Sequence, residues 1–410
     1  MRAFVLAGWL ALVSPWAVSA ADWPQWLGPN RNGISTETIA PWTGPLKPSW
    51  SVSVGEGHSS PVVAAGKIFV HSKVAGQEAE RVQAFELATG KPIWEKTYTR
   101  PAFTSPFGLG PRSTPAVSGE TLITLGSTGI LTAWKTTDGS QLWQIDTAKQ
   151  FDAPKLTFGV STSPLVLGNQ VIVNVGAKGA SMVSFSLTDG AVIWKCRSDP
   201  ASYSSPVLLE LDGKPQLVAL TGSHVIGLNP ENGTVLWEQP FKDLLNESST
   251  TPVKVGDLLI ATSVTVGSIG LSIDLDGKPS PVKQLWKSPV LTSYFTTPVP
   301  FAGNTLLMVT GQIIPPPTAT LRCVDVVTGK ELWKRKPVGK YHATLIGLGN
   351  GEVLMLEETG DLVLIAANSK EYTEKARAKR ICGETWAHPA LVDGTLIVRT
   401  ANSLFALPLK

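Results

Sequence analysis

The stretch Cys323-Val324-Asp325-Val326-Val327-Thr328-Gly329-Lys330-Glu331-Leu332-Trp333 reads as an apolar strand, a Thr-Gly turn and a short second strand that ends in tryptophan. The glycine supplies the positive φ that a tight hairpin requires. The phrase recurs along the chain. It runs from Ala84 to Gly90 and Trp94, from Ala133 to Gly139 and Trp143, from Ser184 to Gly190 and Trp194, and from Gly227 to Gly233 and Trp237. Another copy, one residue shorter, runs from Ser272 to Gly277 and leads to Trp286. Successive tryptophans are 49, 51, 43, 49 and 47 residues apart, which is the length of a unit of four short strands.

A second phrase precedes each of these: two small hydroxyl residues, a proline, an apolar pair and a turn. It begins at Ser59-Ser60-Pro61, Ser113-Thr114-Pro115, Thr162-Ser163-Pro164, Ser204-Ser205-Pro206, Thr250-Thr251-Pro252 and Thr296-Thr297-Pro298. Worn copies follow at Ala343-Thr344-Leu345 and Ala387-His388-Pro389, which makes eight starts. A four-stranded sheet cannot bury both its faces alone, so the units must stack around an axis. The reading is therefore all-β: an eight-bladed propeller of four-stranded antiparallel blades over residues 46–410. Proline starts each innermost strand, where a missing N–H is tolerated. The tryptophans, on the outermost strands, are expected to lie in the seams between blades.

Two blades read irregularly. Blade eight ends after its third strand, Leu404-Phe405-Ala406-Leu407. The segment Pro48-Ser49-Trp50-Ser51-Val52-Ser53-Val54 looks like an orphan outer strand, so Trp50 is expected to close the ring there. Blade seven lacks a tryptophan, and the charged run Glu371 to Lys379 predicts a frayed edge or a short helix in place of its outer strand.

Composition agrees with short strands and tight turns: 38 Gly and 31 Pro in 410 residues, with 16% charged residues. A net charge of +3 with no basic run leaves no footprint for nucleic acid. Residues 1–20 read as a secretory signal. Arg2 is its positive end, Ala3 to Val13 its apolar core and Val18-Ser19-Ala20 its small-residue cleavage site, with the cut before Ala21. That run is too short to span a bilayer, and no later segment is a membrane candidate. The mature chain is expected to be exported, periplasmic or extracellular, and monomeric, with residues 21–45 as an N-terminal arm. Trp23 and Trp26 are expected to anchor that arm on the propeller wall beside the closing strand. Cys196, Cys323 and Cys382 form no C-x-x-C, and their odd number argues for buried free thiols on strands.

The pattern Ala-x-Asp-x-x-Thr-Gly-x-x-x-Trp, matched by Cys323 to Trp333 except at its first residue, resembles the tryptophan-docking repeat of the pyrroloquinoline-quinone (PQQ) quinoproteins. The opening Trp23-Pro24-Gln25-Trp26-Leu27-Gly28-Pro29-Asn30-Arg31-Asn32-Gly33-Ile34-Ser35 is similar to that of exported PQQ-like repeat proteins of the planctomycete type. So are Asn174 to Ser181 and Ala201 to Pro206. A more distant likeness is to the propeller lipoprotein of the outer-membrane barrel-assembly machinery, whose lipidated cysteine has no counterpart here. The resemblance implies the propeller fold and invites PQQ as a cofactor. The adjacent Cys pair that quinoprotein alcohol dehydrogenases carry is missing, however.

Other chemistries lack their residues. The five histidines show no zinc spacing, and no G-x-S-x-G elbow occurs. What remains is geometric. Residues three before each inner-strand proline converge on one mouth of the central channel: His58, Arg112, Ser161, Tyr203, Ser249, Phe295 and Trp386, with His342 close to the equivalent place in blade seven. Two long loops, Thr97 to Arg112 and Asp146 to Val160, add Phe103, Phe107, Lys155 and Phe158, and Asn246-Glu247 adds polar groups. Such a mouth either suits an anionic or planar ligand or merely plugs a water-filled channel. The leading reading is a non-enzymatic scaffold that binds a protein or cell-envelope component, with no cofactor and no metal. The alternatives are a PQQ-dependent oxidoreductase and a polysaccharide-binding module. An aromatic platform formed by Phe103, Phe107 and Trp386 would mark the last.

Overall fold

The computed structural model describes residues 22–276, 281–311 and 316–409. The signal segment at 1–20 and Gly277 lie outside them. The described strands form eight four-stranded antiparallel sheets arranged as a propeller. In the first blade, Val62–Ala64 is innermost, followed outward by Lys67–Lys73, Ala79–Glu86 and Pro92–Thr99. Each remaining blade repeats this order. One turn of helix, Thr147–Phe151, lies in the loop into blade three and is capped by Asp146, whose carboxylate accepts the Lys149 N–H (2.9 Å).

Blade eight contributes Ala390–Val392, Thr395–Arg399 and Ser403–Pro408, and its fourth strand is Trp50–Ser53. Trp50 pairs with Ala406 and Val52 with Leu404. The N-terminal strand therefore closes the ring as expected. Apolar clusters fill every seam. The largest of them joins blades seven, eight and one through Leu364, Ile397 and Phe85.

The tryptophan phrase has a sheet-level cause. The residue directly opposite the tryptophan is small: Ala84 for Trp94, Ala133 for Trp143, Ser184 for Trp194, Gly227 for Trp237, Cys323 for Trp333 and Ala406 for Trp50. The space left lets the indole lie flat across the blade. Its N–H then reaches a carbonyl of the next blade: Trp94 to Thr136 (3.1 Å), Trp143 to Leu187 (2.9 Å), Trp286 to Val326 (2.7 Å) and Trp333 to Asn368 (3.2 Å). Trp194 divides its donor between Gln170 of its own blade and the carbonyl of Pro230. Trp237, buried in the seam to blade five, donates to Gln216 in its own blade (2.6 Å).

Two expectations are corrected. The fifth copy begins at Gly270, which faces Trp286, and not at Ser272. Its hairpin is longer than in the other blades, which displaced the apparent start. Blade seven has an ordered outer strand, Glu374–Ala378, and neither a helix nor a frayed edge. Ala376 stands where the tryptophan would be, opposite Leu364. The pair has exchanged sizes, so the seam stays filled without an indole. The charges of this strand face outward, where Arg377 binds Glu374, Asp361 and Glu357.

The paired hydroxyl residues link neighbouring blades. The Ser60 N–H donates to Thr114 Oγ1 (3.4 Å), Thr114 N–H to Ser163 Oγ (2.9 Å) and Ser163 N–H to Ser205 Oγ (2.9 Å). Thr251 N–H donates to Thr297 Oγ1 (3.0 Å), and His388 N–H to Ser60 Oγ (3.0 Å). The start of an inner strand has no partner strand on its axial side. A hydroxyl from the next blade satisfies that orphan donor.

The N-terminal arm departs most from expectation. It does not lie on the outer wall. It fills the central channel and touches all eight blades. Asp22 accepts the Ala65 N–H, Trp23 exchanges two backbone hydrogen bonds with Val63 (2.9 Å each), and the Pro24 carbonyl accepts from Val117 (2.8 Å). Arg31 is fully buried and donates to carbonyls of Ser163 (3.0 Å), Pro164 (2.9 Å) and Pro206 (2.9 Å) in blades three and four. Trp26 Nε1 donates to Thr251 Oγ1 (2.9 Å), and both Trp23 and Trp26 pack on His388. Gly33 lies against Val299 of blade six, and Gly33 and Ser35 bond to Gly347. Glu37 reaches Gly349 and Gly394. Asp22 and Glu37 meet the turns beyond the inner strands, whereas Trp26 and Arg31 reach their starts. The arm thus enters from the face opposite His58 and turns back at the level of the hydroxyl ring.

The thiols are unpaired. Cys323 is a buried strand residue that serves as the small partner of Trp333. Cys196 ends the strand Val192–Cys196 and is half-buried. Cys382 sits in a turn after blade seven and not on a strand. Burial pushes all three up, Cys196 and Cys323 to about 11 and Cys382 to about 12.

Candidate functional site

With the arm in the channel, the mouth is a closed surface and not the entrance to a pore. The residues that enter the inner strands do converge there, in two groups. Trp386 lies at the centre of the larger group, within 4.3 Å of His342, 5.1 Å of Phe295, 5.8 Å of Tyr341 and 6.4 Å of His58 between ring centroids. Tyr294 stacks on Phe295 at 3.8 Å. Apart from the buried His342, these rings are partly exposed. The smaller group is Tyr203 on Phe158 (5.7 Å) and Phe158 on Phe107 (5.7 Å), with Phe107 59% exposed at the rim.

Arg112 stands beside the smaller group, and both of its terminal nitrogens donate within its own loop. Nη1 donates to the Gly110 carbonyl. Nη2 reaches Ser105 Oγ and the carbonyls of Phe107 and Gly108. Arg112 thus folds its own loop. Burial lowers its pKa. Lys155 is exposed and makes no ion pair among the described residues. Phe103 packs against Arg100 and Gly159 and makes no ring contact with Phe107 or Trp386 among the described residues. The three rings expected to form one platform are therefore not assembled together. Ser161 bonds its own loop at Gly159, and Ser249 donates to the carbonyl of Tyr294.

The imidazoles are held neutral at neutral pH. Burial, with Arg112 and Arg399 nearby, pushes His58 down to about 4. Burial also lowers His342, whose Nε2 lies 2.9 Å from the carbonyl of Thr385. Carboxylates line the larger group. Tyr294 donates its hydroxyl to Glu247, and Trp386 donates its indole N–H to Glu384 (3.0 Å). Glu358 accepts the N–H groups of Lys340 and Tyr341 (2.8 Å each). Desolvation and Glu247 together raise the Tyr294 phenol well above its ordinary value. Tyr294, Tyr341 and Glu384 escaped the sequence reading, although each neighbours a position it had singled out.

These residues do not fit a bound quinone. The Arg112 guanidinium is spent on its own loop. Phe295 meets Tyr341, His342 and Trp386 at steep angles, whereas Tyr294 stacks on it. No paired cysteines lie beneath them. Away from the mouth, the carboxylates of Asp212, Asp274 and Asp276 gather within 4.8 Å, with Lys214 3.8 Å from Asp276.

A family model described as outer membrane protein assembly factor BamB matches residues 43–158 and 78–314. The chain belongs to this family. Among curated relatives, the assembly factor BamB of Burkholderia pseudomallei is 22% identical over 376 residues, covering 86% of this chain and 85% of the relative. That of Yersinia pestis is 24% identical over 212 residues, about half of each chain. Of solved structures, BamB from Moraxella catarrhalis superposes with a TM-score of 0.59 at 15% identity, covering 89% of this chain and 98% of its own. Quinohemoprotein alcohol dehydrogenase from Comamonas testosteroni gives 0.66 at 13% identity, covering 96% and 81%. At these identities the likeness to both structures is one of fold alone. No helix among the described residues is long and apolar enough to cross a membrane.

Proposed function

We propose that this chain is a non-enzymatic, exported propeller scaffold whose mouth face binds a protein of the cell envelope. The observation that carries this reading is the arm in the channel. It converts the axial cavity of the fold into a solid body with one aromatic face, a surface for recognition and not a chamber for chemistry. The family relationship to an outer membrane assembly factor supports a protein partner. An oxidoreductase needs a cation for the quinone at the mouth, and Arg112 is committed elsewhere.

The test is site-specific photocrosslinking in the source cells. A photoreactive residue is placed at Phe107 on the mouth face, or at Lys91 in a turn of the opposite face. The proposal expects one discrete protein adduct from position 107 and none from position 91. Adducts from neither position, or from position 91 alone, would reject the mouth as the binding face.

A further inference from the structure

We infer that the Trp386 end of the mouth receives a basic side chain, lysine or arginine, from the partner. This deepens the scaffold reading and rests on it. Four partly exposed rings, Tyr294, Phe295, Tyr341 and Trp386, form one continuous surface in which each touches the next. Aromatic faces attract cations through the negative charge of their π-systems. The polar groups beside the rings carry the same sign. Glu247 holds Tyr294, Glu384 holds Trp386, and Glu358 holds the backbone of Tyr341.

None of these three carboxylates forms an ion pair with Lys or Arg among the described residues. Glu358 approaches only the ring of His342, at 3.8 Å. Lys340 is exposed and forms no ion pair among the described residues, Arg112 binds its own loop, and the buried Arg399 donates to the carbonyls of Gly55, Ser59 and His71. His58 and His342 are neutral. An ammonium or guanidinium placed on the rings would meet uncompensated negative charge without displacing a resident partner. An anion there would meet only repulsion, and a neutral sugar would leave the carboxylates uncompensated.

The experiment uses the mature chain with 15N-labelled tryptophan and follows the Trp386 indole N–H, assigned by its loss in Trp386→Phe. The probes are the blocked tripeptides acetyl-Gly-Arg-Gly-amide and acetyl-Gly-Lys-Gly-amide. Acetyl-Gly-Leu-Gly-amide and a β-1,4-linked N-acetylglucosamine oligomer serve as comparisons. The basic peptides are expected to move the Trp386 signal saturably. Glu384→Gln and Glu247→Gln are each expected to weaken binding by about fivefold, and added salt to weaken it further. Unmoved signals from the seam tryptophans will show that the variants keep the fold.

No saturable shift with either basic peptide, an equal shift with the leucine peptide, or a shift with the sugar alone overturns the inference. A protein adduct from position 107 together with basic peptides that leave Trp386 unmoved rejects this inference and spares the scaffold. Peptide binding without any protein adduct rejects the scaffold.

Discussion

The Trp50 indole donates its N–H to the carbonyl of Leu87 at 3.0 Å, across 37 residues of sequence and across the last seam of the ring. The two belong to different blades, and this contact fastens the closing strand of blade eight to blade one. The same ring lies over the turn glycine of that blade. A Cβ at Gly90 would sit 2.6 Å from it, and the backbone there has φ +69°.

Both sides of the closure are therefore testable. Trp50→Ala is expected to cost about 3–5 kcal/mol, the usual range for emptying a seam of a large aromatic. Gly90→Ala is expected to destabilise as well, because the new methyl meets the indole and the left-handed backbone disfavours it. Deleting residues 46–54 should be worse than either, since it opens an unpaired strand edge in blade eight. Denaturant unfolding measures all three. A deletion variant that unfolds at the parent's midpoint would refute closure by this strand.

The ring was legible because its devices repeat. A glycine turn, a small residue and an indole recur at fixed separations, and each keeps its local meaning wherever it occurs. Blade seven broke the pattern through Leu364 and Ala376, a compensated size exchange that leaves no mark in a one-strand reading. The meeting of His58, Phe295 and Trp386 at one mouth was legible from their shared offset to the prolines. The commitment of Arg112 was not, because its acceptors are carbonyls of its own loop, which carry no sequence signature. The arm was hidden for a related reason. Arg31 is held by carbonyls of Ser163, Pro164 and Pro206, and these converge only after the ring has closed.

That arrangement predicts how the arm stabilises the propeller. Arg31→Ala would leave the three carbonyls without donors, each costing about 1–3 kcal/mol if water cannot reach it. Arg31→Lys is expected to recover little, since one ammonium cannot reproduce a planar fork that bridges two blades. Unfolding curves for the two variants should lie close together and well below the parent. A lysine variant as stable as the parent would show that charge alone, and not the fork, holds the arm.

A buried polar network between blades one and two sets an acid limit on stability. Glu80 is fully buried. It accepts from the Tyr98 hydroxyl (2.5 Å) and from Ser127, and His71 lies 3.4 Å away. Burial alone would raise its pKa, but the hydrogen bond and charge of His71, with Ser127 and Tyr98, outweigh it and bring Glu80 down to about 2. A carboxylate lowered on folding stabilises the protein above its unfolded pKa, and that contribution is lost as pH falls through the folded value. The contribution, on the order of 3 kcal/mol, is therefore expected to disappear between about pH 4.5 and pH 2. Glu80→Gln should lower stability at pH 7 and flatten the curve across that interval. A variant whose stability falls as steeply as the parent's between those pH values would assign the acid transition to other groups.

The final prediction concerns the cofactor that the repeat invites. A bound quinone places carboxylates that need cations, a flat ring that needs a stacking floor, and a redox centre that needs a Lewis acid and a positioned base. At this mouth Arg112 donates to Ser105 and to the carbonyls of Phe107, Gly108 and Gly110, and Lys155 stands apart in solvent. Trp386 packs against His342 and Phe295, and Arg112 leaves the first need unmet. We therefore expect no quinone absorbance to remain with the protein after incubation with PQQ and Ca²⁺, and no dye-linked oxidation of alcohols or sugars. Arg112→Ala is expected to lower the melting temperature by loosening residues 105–110, and to leave the calorimetric response to PQQ flat, as in the parent. Micromolar or tighter PQQ binding that vanishes in Arg112→Ala would mean that the loop releases its arginine to the ligand. The oxidoreductase reading would then displace the scaffold.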